Sequence, residues 1–186
     1  FIQINIISTH GLAFKKEYLD SWRSDKKKNH HNILDSLAIH YLDLILFQMG
    51  TIKSSNYYPR LVSKNGDSYD TCRLALETEN ASVIIYCSYA NPKINEIVII
   101  GTNGYITIRD NKKEIFSPRD TFDPKGFFVK PPLIENKDFN FENEYIDSLK
   151  KSLEYFMESV KNKKLIDLEN FDKGIMTTKL LIELKQ

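Results

Sequence analysis

Glycine is scarce in this chain: seven in 186 residues, and the closest pair, Gly101 and Gly104, stands in a segment that reads as a hairpin. No Gly-x-Gly-x-x-Gly loop joins a strand to a helix, which excludes the usual cradle for a dinucleotide pyrophosphate. Cysteine is limited to Cys72 and Cys87, both in strand-like segments and without metal or redox spacing. That excludes a disulfide scaffold and reads as two reduced core thiols in an intracellular, cytoplasmic protein. Neither sign of charge dominates, with 26 Lys and Arg against 25 Asp and Glu. No overall field therefore draws nucleic acid. No apolar run approaches the length of a membrane span, and no signal-peptide pattern is present. Neither a nucleic acid nor a membrane is expected as a partner.

What is present is an ordinary share of apolar and charged residues for a globular chain, enough in 186 residues for one large domain over 1–186. The opening FIQINIIS alternates as a strand does, with Ile2, Ile4 and Ile6 on one face. A chain that opens at Phe1, inside a strand, reads as the downstream fragment of a longer protein. A polar loop from His10 to Asn32 follows, then an apolar helix from about Ile33 to Met49 that stops at Gly50. Strands are expected at about Ile52–Tyr58, Thr71–Thr78, Ser82–Tyr89, Glu96–Ile100, Tyr105–Arg109 and Lys113–Phe116. Glu79-Asn80 and Gly101–Gly104 supply the turns, and a Pro-punctuated loop spans Ser117–Pro132. Two helices close the chain. Their spacing predicts inner faces at Tyr145, Leu149, Leu153, Phe156 and Val160, and at Phe171, Ile175, Thr178 and Ile182.

This order predicts an α+β fold: a mostly antiparallel open sheet with helices packed on one face. SVIIYCSY and EIVII are apolar on both faces, so something must cover the second face as well. A partner subunit is the preferred cover, a missing domain of the same chain the second choice.

The Ile33–Met49 helix is apolar on almost every side, which predicts burial all round. One stripe is the exception: Ser36, His40, Asp43 and Phe47, spaced so that their side chains project together. Polar groups on a buried helix need partners. His40 therefore either satisfies the core through a backbone carbonyl or faces a cleft where a substrate is handled.

The order SWRSD (Ser21–Asp25), loop, ILDSLAIHYLDLILFQMG, a strand pair ending in IIGTNGYITI, and a final helix pair resembles the C-terminal domain of the glucose–fructose oxidoreductase, inositol dehydrogenase and MocA family. The resemblance spans nearly the whole chain, and the His40-x-x-Asp43 helix ending in glycine carries most of it. It implies a fold like the C-terminal domain of glyceraldehyde-3-phosphate dehydrogenase. It also implies NAD or NADP, bound mainly by an N-terminal Rossmann domain, and a sugar, nucleotide-sugar or cyclitol substrate. A homodimer or homotetramer through the sheet face would complete the assembly, and the fragment alone would be inactive. The family's lysine, in a Glu-Lys-Pro motif, is absent from this chain.

The resemblance makes His40 the catalytic candidate. Removing hydride from a carbinol carbon needs a group to accept the hydroxyl proton, and an imidazole suits that task near neutrality. Trp22, Arg23, Asn32, Ser36 and Asp43 become the substrate-side candidates, an arginine beside an aromatic suiting a carboxylate, phosphate or sugar hydroxyl. The plainer reading of Trp22 and Arg23 is an exposed loop with one anchoring indole. Many members carry an aspartate four residues before the histidine. Here that place is Ser36, and Asp35 stands one earlier. Asp43 is open to a structural role, and a non-catalytic binding or scaffold module on the same fold is the alternative. His30, His31 and His40 lack metal-ligand spacing.

Overall fold

A computed structural model describes residues 2–163 and 168–186. The strand β1 (Ile2–Thr9) leads through a 3-10 turn (Leu12–Phe14) and the single-turn helices α1 (Lys16–Leu19) and α2 (Lys26–Asn29) to a π turn (Leu34–Ala38). The π turn runs into helix α3 (Ile39–Met49). Then come β2 (Ile52–Arg60), β3 (Thr71–Thr78), β4 (Ala81–Ser88), β5 (Ile94–Ile100), β6 (Tyr105–Arg109), β7 (Lys112–Phe116) and β8 (Leu133–Asp138). Helices α4 (Phe141–Lys161) and α5 (Leu168–Leu184) end the chain.

The eight strands form one sheet in the order β2-β3-β4-β1-β5-β6-β7-β8. Its one parallel pair is β1 with β4, where Ile4 sits opposite Val83 and Ile6 opposite Ile85. A parallel neighbour needs a crossover, and the chain makes it through α3 and the β2–β3 hairpin before returning to the centre. The alternation of β1 sends Ile4 and Ile6 into the core with Leu74, Leu76, Val83 and Ile85, against Leu42 and Ile45 of α3 and Leu181 of α5. Each such side chain stabilises the fold by about 1.5–3 kcal/mol relative to exposure. Cys72 and Cys87 face each other across β3 and β4, buried and unbonded. Their mutual hydrogen bond, and then burial, push the Cys87 thiol well above its ordinary range. The opposite sheet face is open in the single chain, and Tyr58, Ile84 and Ile100 on it are exposed.

Several expectations are corrected. The α3 helix is not buried all round: Leu42, Ile45 and Leu46 are buried, whereas His40, Asp43, Leu44 and Phe47 are exposed. It rests on the sheet along one side and on α5 along one flank, leaving the rest open. In α4 the five residues expected to face inward, from Tyr145 to Val160, are all more than half exposed. In α5 the expected inner set of Phe171, Ile175, Thr178 and Ile182 is exposed, and the helix instead buries Thr177 and Leu181 with Leu180 and Leu184 packed beside them. A helix with two apolar stripes does not announce which one meets the core. The stretch from His10 to Asn32 is no open loop, since Ala13 and Tyr18 enter the core. Strand β8 was not expected: LIENKD is polar and exposed along its length, as suits an edge strand.

The helix end at Gly50 is as expected. Its φ of 75° and its N–H donated to Leu46 O close α3.

Candidate functional site

The candidate residues gather where β1 ends, because two loops are clamped together there. Asp70, fully buried, accepts hydrogen bonds from the backbone N–H of Val62 and Ser63 and from the hydroxyls of Ser63 and Thr71. This fixes the β2–β3 loop. That loop then grips the segment before α3: Asp67 and Ser68 donate backbone N–H groups to Ser24 O, and Tyr69 donates to His30 O. Ser68 Oγ donates to Asn29 O. At Gly66, with φ of 83°, a Cβ would meet Ser24 O at 2.5 Å, so only glycine allows this approach.

Clamped in this way, Asn32 is fully buried and Ser36 lies in the π turn. Ile39 N–H bonds Leu34 O, five residues back, so this turn holds one residue more than an α turn. Ser36 Oγ lies 2.5 Å from Asn32 O, 3.0 Å from Asn32 Oδ1 and 2.8 Å from Tyr89 OH. With the serine proton directed at the Asn32 oxygens, the Tyr89 hydroxyl donates to Ser36 Oγ. Burial raises the Tyr89 pKa, while the Ser36 hydrogen bond and the adjacent Arg23 cation oppose that shift. Arg23 itself sits over the Trp22 ring, 4.6 Å from its centroid. Arg23, Asn32 and Ser36 are thus brought together around a tyrosine that pattern had not singled out, and Trp22 joins them only through Arg23.

Two further aromatic residues complete the cluster. The His10 ring lies against Tyr89 at 4.9 Å, and Tyr18 meets the same tyrosine edge-on at 6.2 Å. Burial, with the Asp70 carboxylate second, pushes the Tyr18 phenol up to about 12. Tyr18 OH and the Asn32 side chain face each other in the interior, yet neither Tyr18 OH nor Asn32 Nδ2 has a well-formed hydrogen bond among the described residues. Such groups cost stability unless something meets them.

His40 lies further along the helix. It is exposed and its side chain makes no hydrogen bond among the described residues, so the ring is neither sealed in packing nor tied to a backbone carbonyl. Asp43 accepts a hydrogen bond from Thr177 Oγ1 at 2.9 Å and so ties α3 to α5. Asp35 turns the other way, to Lys185 Nζ at 2.5 Å, and does not stand in for the aspartate that Ser36 replaces. His31 Nδ1 meets Tyr57 OH at 3.2 Å, and His30 stacks on Tyr69 at 4.2 Å. Burial first, then Lys26 for His30 and the adjacent His30 ring for His31, lowers the pKa of both histidines. No three His, Cys, Asp or Glu side chains come together as a metal-ligand set among the described residues. Nor does any described helix have the length and apolarity to cross a membrane.

The sequence candidates were legible because they sit near each other in sequence. Tyr89 and His10 were not, since Tyr89 lies 53 residues beyond Ser36 and a lone histidine has no spacing to read. Comparison with known proteins identifies the fold and the family. No curated protein sequence matches the chain. Among solved structures, a protein assigned as an NADPH-dependent oxidoreductase from Desulfitobacterium hafniense superposes with a TM-score of 0.72 at 13% identity, over 98% of this chain and 53% of its own. An oxidoreductase from Thermotoga maritima gives 0.70 at 19% identity, over 98% of this chain and 50% of its own. A levoglucosan dehydrogenase in complex with NADH and levoglucosan gives 0.58 at 14% identity, over 74% of this chain and 39% of its own. The chain therefore spans about half the length, or less, of these similar structures. The profile of the oxidoreductase family's C-terminal alpha/beta domain matches residues 3–184, and the chain belongs to that Gfo/Idh/MocA family as a C-terminal domain.

Proposed function

We propose that this chain is the substrate-binding and oligomerisation domain of an NAD(P)-dependent oxidoreductase acting on a CH–OH group of a sugar, nucleotide sugar or cyclitol. One observation carries the reading: Arg23, Asn32 and Ser36 converge with Tyr89 on the turn that precedes His40. Arg23 offers hydrogen bonds to substrate oxygens, and the exposed His40 imidazole is free to accept a hydroxyl proton; Asn32, expected to contact substrate, is fully buried and instead holds Ser36 in place. The levoglucosan held by one similar dehydrogenase agrees with a carbohydrate-like substrate.

The dinucleotide does not fit the residues of this chain. Gly101 and Gly104 close the β5–β6 hairpin, and no glycine-rich turn leads from a described strand into a helix. Cofactor binding is therefore assigned to an N-terminal domain of the complete protein. The open sheet face, with Tyr58, Ile84 and Ile100 exposed, is assigned to a homodimer or homotetramer contact. Two unpaired thiols go with a cytoplasmic location.

A second reading, a non-catalytic binding module, draws on Ser36 being engaged by Asn32 and Tyr89 and Asp43 by Thr177, which leaves His40 without a carboxylate to orient it. Steady-state kinetics on the full-length protein separate the two. His40→Ala should lower turnover at least about a hundredfold, the scale of a lost proton acceptor. A loss under about fivefold would move His40 to a structural role and favour the binding module.

A further inference from the structure

His10 follows directly on β1, and its backbone N–H donates to Ser88 O at 2.9 Å. One side of its ring rests on Tyr89. The residue also borders a cavity of about 770 Å³, shared with Ser8, Lys93, Asn95, Asp110 and Glu142. That volume lies within the roughly 300–1,000 Å³ occupied by small-molecule sites. The cavity opens on the helix-bearing side of the sheet, because Ser8 shares its face with the core residues Ile4 and Ile6. Tyr41, the residue after His40, bonds both Ser8 and Asn95, reaching Asn95 Oδ1 at 3.5 Å. Tyr89 reaches Ser36 one helical turn earlier. A hydrogen bond from Tyr41 and a ring contact through Tyr89 thus join residues of this cavity to the stretch of helix that holds Ser36 and His40.

Around Ile94, the polar groups of the lining are mixed in sign: an ammonium, two carboxylates, three amides, two hydroxyls and an imidazole. An apolar ligand would leave these groups unpaired. A polyhydroxylated neutral molecule meets them, since every hydroxyl both donates and accepts. We propose that His10 is a substrate-contacting residue of the oxidoreductase described above, its imidazole accepting a hydrogen bond from a hydroxyl of a sugar or cyclitol seated in this cavity while Tyr89 holds the ring in place. The inference rests on that functional reading and adds a second imidazole to its site. Burial, then Lys15 and Lys93, lower the His10 pKa, so the ring keeps an acceptor nitrogen at neutral pH. Tyr89 packs against it, and the carboxylates of Asp110 and Glu142 share the cavity from the β6–β7 turn and from α4.

The test uses the full-length protein with its dinucleotide, labelled with nitrogen-15 at histidine and titrated with myo-inositol, D-glucose and UDP-glucose. Trp22 fluorescence and turnover report binding and activity. The His10 ring resonance, assigned by its loss in His10→Gln, reports contact. The expected result is a probe that moves the His10 resonance as it binds. His10→Leu should then raise KM about tenfold, the scale of one lost hydrogen bond, with kcat little changed and the thermal midpoint retained. His10→Gln, still able to accept through its carboxamide, should recover part of the loss. If a probe binds and turns over while the His10 resonance stays still, the inference falls and the functional reading stands. That measurement decides even if the leucine variant does not fold. If no probe binds or turns over, the functional reading falls and takes the inference with it.

Discussion

The two halves of the sheet differ in what covers them. From β2 to β1 the inner face meets α3 and α5, and Leu74, Val83 and Ile85 have no exposure at all. From β5 to β8 the apolar residues other than Phe116 are partly buried or exposed, and in α4 those from Tyr145 to Val160 are more than half exposed. The covered half is a complete core within one chain. The uncovered half has strand pairing and cross-strand contacts, such as the Arg109–Glu96 ion pair at 2.5 Å and the Tyr105–Phe116 stack at 4.6 Å, but no layer above it. All candidate site residues lie on or beside the covered half. The covered half positions side chains, and the uncovered half offers surface.

Mutations on the two sides would break or sharpen this contrast. The largest effect is expected in the covered half: Leu74→Ala should lower stability by about 2–5 kcal/mol in urea unfolding, the scale for a cavity in a packed core. Next comes Ser36→Ala, which strands the Tyr89 hydroxyl and Asn32 Oδ1 and should cost about 1–3 kcal/mol by the same measurement.

A smaller effect comes from pH. The folded-state pKa values of His10, His30 and His31 are lowered, so the unfolded chain binds protons first as pH falls through about 6.5. Stability should be full above that value and decline below it, visible as a lower thermal midpoint at pH about 5.5 than at about 7.5. His31→Asn should flatten the decline. The smallest effect is expected on α4, where Leu153→Ala should change stability by less than about 0.5 kcal/mol. If Leu153→Ala matched Leu74→Ala in cost, α4 would be covered in solution and the contrast between the halves would be lost.

Much of the fold was legible in the chain itself. Alternation marked β1, and the Glu79-Asn80 and Gly101–Gly104 turns marked the β3–β4 and β5–β6 hairpins. Gly50 marked the end of α3, and apolar residues on both faces of β4 and β5 marked central strands. The polar edge strand β8 was not legible, since LIENKD has no apolar alternation to read. Of the candidate site, Arg23, Asn32 and Ser36 were named together and stand together, with Trp22 joined to them only through Arg23. Asp43, also named, is engaged with Thr177, 134 residues away. Tyr89 and His10 could not be found, because the contacts that matter to them cross the sheet rather than run along the chain.

The sequence by itself determined the class of fold and the C-terminal end of its main helix, because strand alternation and helix stops are local properties of neighbouring residues. Only the tertiary structure decided which face of each helix is buried, that the turn holding Ser36 is a π turn, and that Tyr89 closes the cluster at the end of β1. Those outcomes depend on packing between segments far apart in the chain, where several apolar stripes compete for one core and the sheet selects among them.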